Sequence, residues 1–335
     1  MKKFEVRGTE YEMGLKIGKV FRSYLQHEIK IYDNKIMNPN VLSSVKSMEN
    51  KLRTEFPKYL DEIYGRADGA KVSRDSILLM FFPEIYNGTD GCTTLMLKKE
   101  NGTFLFSHNE DEKNYTSENI GLIKYIYDDY WIIGYTLAKR LTGSAFSYNS
   151  YGLVFSSNYI YDSKIDLENI SRYIMVRDII SSKNIDDVIE KMKNHKVASA
   201  FSMNILDTNL NRAVNIEKDI DEFYIKEIDN RYARSNHFIL KDKDLPEKPV
   251  SSNFRYNKTN ELINKLDNKS STIEDLINIL KYESDEYFET VFKNPDKYKD
   301  KSITCANFSY DNESKMIYIK DYLSKSEIKL KYNEF

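Results

Sequence analysis

The sequence predicts an α+β protein in which helices pack on antiparallel sheet. The first ~85 residues carry apolar side chains mainly at helical spacing. From Cys92 onward, short runs alternate with the period of a strand. Strand runs then alternate with helix runs, with no internal repeat, low-complexity tract or linker between them.

Thr9-x-x-Glu12 is a capping-box pattern, and Met13, Ile17, Val20, Phe21 and Leu25 follow it on one helical face. Gly14 and Gly18 on that helix predict close approach of another backbone. Further helices are expected over Val41 to Gly65 and from Ser73 to Pro83. Cys92 then opens a hairpin. Thr93 to Leu97 and Thr103 to Ser107 alternate, and Asn101-Gly102 suits the tight turn between them. Strands are expected over Leu122–Tyr127, Trp131–Leu137, Ser144–Tyr148 and Leu153–Ser157. A long helix from Leu167 to His195, broken near Ser181-Ser182, comes next. Strands at Ala200–Leu206, Ala213–Ile216 and Glu222–Glu227 follow, then helices at Asn253–Leu266 and, behind a Ser271-x-x-Glu274 cap, Ile273–Tyr282. A final hairpin pairs Ile303–Tyr310 with Met316–Ile319.

The chain has 335 residues, 41% hydrophobic and 30% charged, with a net charge of −2. It is large enough to bury a sizeable core. The balanced charge argues against a nucleic-acid or anionic-membrane partner. No apolar run approaches the ~20 residues of a membrane span, and the N-terminus lacks the apolar region of a secretory signal. Cys92 and Cys305 make no disulfide framework, and two reduced thiols in a cytoplasmic protein are expected. No metal ligand set is assigned.

Cys92 stands directly after Gly91, behind an expected turn and at the mouth of a strand. A cysteine attacks as its thiolate and needs a base. Four histidines are available: His27 and His195 lie in charged helical segments, while His108 ends the returning strand and His237 lies far downstream. No pattern selects a cysteine–histidine pair. A second route needs none: cleavage of Gly91–Cys92 would give Cys92 an α-amine with a pKa near ~7.7–8.0, attached to the nucleophile itself. On a strand, Asp111 shares a face with Asn109, whereas Glu110 and Glu112 face the other way. Read locally, Asp111 is a solvated charge in an acidic run, Asn236 a turn residue, Arg255 a surface charge at a helix start, and Cys305 a core residue. "YIYDDYW" is read as a solvated turn between aromatic strands, with a pocket offering Asp128 and Asp129 to a cation as the rival reading.

Taken together, "RGTEYEMGLKIGKVF", "YLDEIYGRADGAKVSRDSILLM", "DGCTTLM", "FSHNEDE", "YGLVFSSNYI", "RSNHFI", "SSNFRYNK" and "SITCANFSYD" resemble, in their order, the acyl-coenzyme A:6-aminopenicillanic acid acyltransferase family of N-terminal-nucleophile hydrolases. Choloylglycine hydrolases and penicillin V acylases are more distant relatives. The resemblance implies a four-layer αββα sandwich of two stacked antiparallel sheets flanked by helices. It implies self-cleavage at Gly91-Cys92 into residues 1–91 and 92–335, which stay associated as one structural domain.

Carried over by motif, Cys92 is the nucleophile, Asp111 the holder of the new α-amine, Asn236 an oxyanion donor and Arg255 a neighbour of the thiol. Asn158 falls near a second oxyanion position. The implied activity is cleavage or transfer of the acyl group of a linear amide through a Cys92 thioester. The substrate would be a small acylated amine, with no cofactor unless coenzyme A thioesters serve as acyl donor; homo-oligomerisation stays open. Glu110 and Glu112 depart from the family's aromatic or apolar residues at these positions. The alternatives are a choloylglycine hydrolase or penicillin V acylase-like enzyme, a cysteine–histidine hydrolase using His108 or His237, and a non-catalytic ligand-binding relative that is never cleaved.

Overall fold

The computed structural model describes residues 1–86, 91–113, 117–162, 164–241, 250–298 and 300–335. A short strand β1 (Lys2–Arg7) precedes six helices: α1 (Glu10–Val20), α2 (Arg22–Ile36), α3 (Pro39–Glu55), α4 (Pro57–Ala70), α5 (Arg74–Phe81) and α6 (Pro83–Tyr86). The hairpin β2 (Gly91–Lys98) and β3 (Phe104–Glu112) follows. Next come β4 (Ile120–Ile126), β5 (Trp131–Leu137), β6 (Phe146–Asn149) and β7 (Leu153–Tyr159). Helices α7 (Arg172–Ile179) and α8 (Ile185–Asn194) separate these from β8 (Phe201–Asp207), β9 (Arg212–Lys218), β10 (Phe223–Glu227) and β11 (Arg231–Arg234). The chain closes with α9 (Val250–Ile263), α10 (Ile273–Leu280), β12 (Ile303–Asp311), β13 (Met316–Asp321) and β14 (Ser326–Lys331). No helix among the described residues is long and apolar enough to cross a membrane.

The strands form two sheets, ordered β1-β4-β5-β6-β7-β8-β9-β10 and β11-β2-β3-β12-β13-β14. Three apolar layers separate four structural ones. Met13, Ile17, Leu52, Ile63 and Met175 of the helices pack with Tyr125, Phe155 and Ile205 of the first sheet. Phe106, Phe308 and Tyr310 meet Tyr135, Phe146 and Tyr148 between the sheets. Leu95, Leu97 and Leu105 on the outer face of the second sheet meet Leu276 and Leu280 of α10. This is the αββα sandwich expected.

Several expectations need correcting. β1 pairs with β4 in parallel, so the first sheet is mixed rather than wholly antiparallel. The helix expected over Val41 to Gly65 is two helices, broken where Phe56 leaves helical geometry ahead of Pro57. The Leu167–His195 segment is broken around Ser181-Ser182 as expected but turns helical only at Arg172, and α9 starts at Val250 rather than Asn253. The cap of α10 is Thr272 with Asp275, one residue beyond Ser271 and Glu274.

The Thr9–Glu12 capping box is present. A Cβ at Gly14 would lie 2.1 Å from the Glu62 carbonyl oxygen, and one at Gly18 2.2 Å from that of Arg66, so these glycines let α1 lie directly on α4. Beneath that contact, Arg66 Nη2 and Arg177 Nε bond the two oxygens of the Glu62 carboxylate at 2.5 and 3.0 Å, all three side chains being buried. Burial alone would push the Glu62 carboxyl up, but the Arg177 and Arg66 guanidiniums hold it below its ordinary value. Gly14→Ala is expected to cost about 1–3 kcal/mol of unfolding free energy, as overpacking does, measured by urea denaturation.

Candidate active site

The hairpin register sets the site. Gly91 pairs with Asp111, Cys92 with Glu110, and Thr94 with His108. Directly paired residues share a face, so Cys92, Thr94, His108 and Glu110 point between the sheets, while Gly91, Asn109 and Asp111 face the α9–α10 layer. The acidic run is therefore a buried part of the sheet: Glu110, Asp111 and Glu112 are at most 4% exposed. The reading of Asp111 as a solvated charge fails for this reason, and so does that of Arg255 as a surface charge, since Arg255 is 1% exposed. Asn236 is likewise fully buried. Cys305 is a core residue, as expected.

Cys92, Asn236 and Arg255 are tied together. The Cys92 backbone N–H donates to Asn236 Oδ1 at 3.0 Å. Arg255 Nη2 donates to that same oxygen at 2.7 Å, and its Nη1 to the Cys92 carbonyl and Thr93 Oγ1 at 2.5 and 2.7 Å. Asn236 is held by its Nδ2 bond to the Tyr159 carbonyl (2.8 Å) and by its backbone N–H bond to Ser252 Oγ (2.7 Å). A helix α9 starting at Val250 carries both Ser252 and Arg255 to the strand.

On the outer face, Asp111 Oδ1 accepts from Thr304 Oγ1 at 2.7 Å, and its Oδ2 forms an ion pair with Lys293 Nζ at 3.2 Å. A Cβ on Gly91 would come within 3.1 Å of Asp111 Oδ2 and 3.4 Å of Lys293 Nζ, so a side chain there would crowd that ion pair. Burial lowers the Lys293 pKa against the pull of Asp111, and the Arg255 charge adds to the lowering. The Tyr287 phenol is pushed up to about 12 by burial and by the Asp111 charge.

On the inner face, the Cys92 thiol donates to Glu110 Oε2 at 2.9 Å, a contact that sequence reasoning left unassigned. Arg140 spans the two glutamates. Its Nη1 bonds Glu110 Oε1 at 2.8 Å and its Nη2 bonds Glu112 Oε2, while Lys139 bonds Glu112 Oε1 at 3.0 Å. His108 Nε2 lies 3.4 Å from Glu110 Oε2. Burial drives the His108 pKa down to about 3, so its ring is neutral at neutral pH. Thr94 Oγ1 joins His108 Nδ1 (2.9 Å) to Asn158 Oδ1 (3.0 Å), and Asn204 Nδ2 also donates to that oxygen at 2.8 Å. The buried Asn158 Nδ2 has no hydrogen-bond partner among the described residues. The strand alternation signalled the facing of Glu110; nothing in the spacing signalled Lys139, Arg140 or Lys293.

Of the remaining candidates, His237 Nδ1 contacts Ser252 Oγ at 2.9 Å, and His195 makes an ion pair with Glu55. Asp128 and Asp129 are exposed in the β4–β5 turn, as the turn reading expects. The turn expected ahead of Cys92, at 87–90, lies outside the described residues. Lys293→Met strands the Asp111 carboxylate and is expected to cost about 3–5 kcal/mol in urea denaturation. Adding Asp111→Asn should restore most of that loss.

The profile of the family described as acyl-coenzyme A:6-aminopenicillanic acid acyl-transferase matches residues 97–320, about two thirds of the chain, beginning just after Cys92. The β-alanyl-dopamine/carcinine hydrolase of Drosophila melanogaster is 26% identical over 230 residues, 59% of this chain and 59% of that protein. The chain thus spans about three fifths of the length of this curated relative. Among solved structures, penicillin V acylase from Agrobacterium tumefaciens has a TM-score of 0.51 at 12% identity, covering 73% of this chain and 87% of its own. A variant of conjugated bile acid hydrolase from Clostridium perfringens has a TM-score of 0.50 at 15% identity, covering 72% and 93%. These two likenesses establish the shared fold, and the profile match establishes the lineage: the chain belongs to the acyl-coenzyme A:6-aminopenicillanic acid acyl-transferase family.

Proposed function

We propose that the chain is a self-processing cysteine amidohydrolase of the N-terminal-nucleophile type, acting on a small acylated amine. The observation that carries this reading is the convergence on one strand mouth of Cys92, the Asn236–Arg255 clamp on its backbone, and Asp111 opposite Gly91. In the intact chain no free amine exists at Cys92, and Glu110 Oε2 is the acceptor already bonded to the thiol. Glu110 takes the thiol proton, and sulfur attacks the Gly91 carbonyl carbon. The C–N bond breaks as the Cys92 nitrogen gains a proton, and water hydrolyses the resulting thioester. The freed α-amine, beside Asp111, then serves as base for turnover. Cys92 attacks the substrate amide, an amine leaves, and water or a second amine takes the acyl group.

Asn158 Nδ2 is the buried donor suited to the developing oxyanion, and Asn236 is the second amide, bonded to the Cys92 backbone N–H. The two chains remain joined because β2 lies inside its sheet, between β11 and β3. Water as acceptor gives a hydrolase. An acyltransferase using coenzyme A thioesters is the second reading, favoured only by the family's description. The name of the Drosophila relative makes β-alanyl-dopamine and carcinine the first amides to try.

Mass spectrometry of purified protein should show fragments 1–91 and 92–335, with Cys92→Ala left whole. Glu110→Gln should slow cleavage by at least about 10²-fold, the lower range of general-base contributions. An intact wild-type chain that hydrolyses these amides would overturn the reading. In cleaved enzyme, Asn158→Ala should lower kcat about 10²–10³-fold with little change in KM, the effect of losing one oxyanion donor.

A further inference from the structure

Cys92, His108 and Glu110 carry three ligand types that borderline-soft divalent cations favour: a thiol, an imidazole and a carboxylate. Their donor atoms all lie within 4.8 Å of one another, and all three residues are buried. Within that group, Sγ–Oε2 is 2.9 Å and Nε2–Oε2 is 3.4 Å. An ion about 2.0–2.3 Å from each ligand sets tetrahedral neighbours at such separations after small side-chain shifts.

The surroundings suit a ligand set rather than a chance meeting. Thr94 Oγ1 donates to Asn158 Oδ1, so it accepts from His108 at Nδ1. In that arrangement the ring proton sits on Nδ1, and the Nε2 lone pair faces Glu110 and Cys92 as a metal ligand requires. Arg140 holds Glu110 by Oε1, fixing the carboxylate with Oε2 turned to the thiol. The three ligands come from adjacent strands of one hairpin, at paired or next-but-one positions, so the backbone need not move to assemble them.

We propose that Cys92, His108 and Glu110 form a three-ligand site for Zn²⁺ or a similar divalent cation, with water in the fourth position, and that its occupancy blocks the nucleophile. On binding, the Cys92 S–H bond breaks, sulfur bonds the metal, and the proton passes to solvent. The metal-bound sulfur can then attack neither the Gly91 carbonyl nor a substrate. The site uses the side chains of the proposed catalytic centre, so its inhibitory meaning rests on that reading; metal binding itself does not.

Titration of the purified chain with Co²⁺, a spectroscopic substitute for Zn²⁺, tests this. One equivalent should bind and give a thiolate-to-cobalt charge-transfer band. Zn²⁺ should displace it and raise the thermal unfolding midpoint. Cys92→Ser should abolish the band, and circular dichroism should show this near-isosteric variant folded. His108→Gln and Glu110→Gln should each weaken binding by at least about 10-fold, since loss of even an outer-shell partner costs about 10–100-fold. A band that persists in Cys92→Ser, or no stoichiometric binding to the wild type, overturns the proposal. So does affinity unchanged in both glutamine variants, which would signal chelation by the thiolate and α-amine of cleaved Cys92 alone. Cleavage is read separately by mass, so failure of the metal site and failure of self-processing are distinguishable.

Discussion

The pairing of Gly91 with Asp111 and Cys92 with Glu110 governs everything around the strand mouth. A strand side chain repeats every second residue, so slipping the hairpin by one would exchange all the chemistry between two layers. The register is anchored by apolar residues farther along. Met96 and Phe106 pack between the sheets, whereas Leu95, Leu97 and Leu105 pack against α10. Because those two apolar sets cannot trade places without disrupting the packing of both layers, the thiol is fixed on the inner face with Glu110 and His108. The carboxylate of Asp111 is fixed on the outer face with Lys293 and Thr304. One strand pair thus separates the acceptor of the thiol from the group beside the bond that precedes it.

Such a density of buried charge is tolerable only if paired. Arg140 joins Glu110 to Glu112, Lys139 adds a second cation to Glu112, and Lys293 answers Asp111. Arg255 spends its hydrogen bonds on neutral acceptors: a carbonyl, a hydroxyl and an amide oxygen. Its charge therefore remains electrostatically available near Cys92, where it favours a thiolate. Glu110 opposes ionisation of that thiol while accepting its hydrogen bond. In the proposed reaction the two influences act on different states: the carboxylate suits the moment of proton removal, and the guanidinium the thiolate that results.

Local pattern made the hairpin, the α1 cap and the glycine contact of α1 readable, because each depends on residues a few positions apart. It also separated Asp111 from Glu110 by facing. What it could not supply were partners brought from afar. Lys139 and Arg140 follow β5, Lys293 precedes β12, and Thr304 lies across a strand pair, so only the sheet order joins them to β3. The acidic run looked solvated because sequence shows charges without their counter-ions. β1 was hidden by its brevity and its charged, half-exposed alternation; it is held by a parallel neighbour more than a hundred residues away. The break at Phe56-Pro57 and the late start of α7 were lost because apolar periodicity continues across both.

The two asparagines show why an amide must be followed atom by atom before it is given a role. Asn236 Oδ1 accepts from the Cys92 N–H and from Arg255, while its Nδ2 donates to the Tyr159 carbonyl. In the intact chain it holds the strand mouth as an acceptor, with only its second N–H left to offer. Asn158 is arranged the other way. Its oxygen is saturated by Thr94 and Asn204, which leaves the whole NH₂ group buried and unbonded among the described residues. A buried donor without a partner costs about 1–3 kcal/mol, and an incoming oxyanion would relieve that cost. The polar relay behind it, Asn215 Nδ2 to Asn204 Oδ1 at 2.8 Å and Asn204 Nδ2 to Asn158 Oδ1, keeps the amide from flipping, since reversal would set two NH₂ groups face to face. In the proposed reaction, preorganisation of this kind favours Asn158 over Asn236 as the first donor to a tetrahedral oxygen.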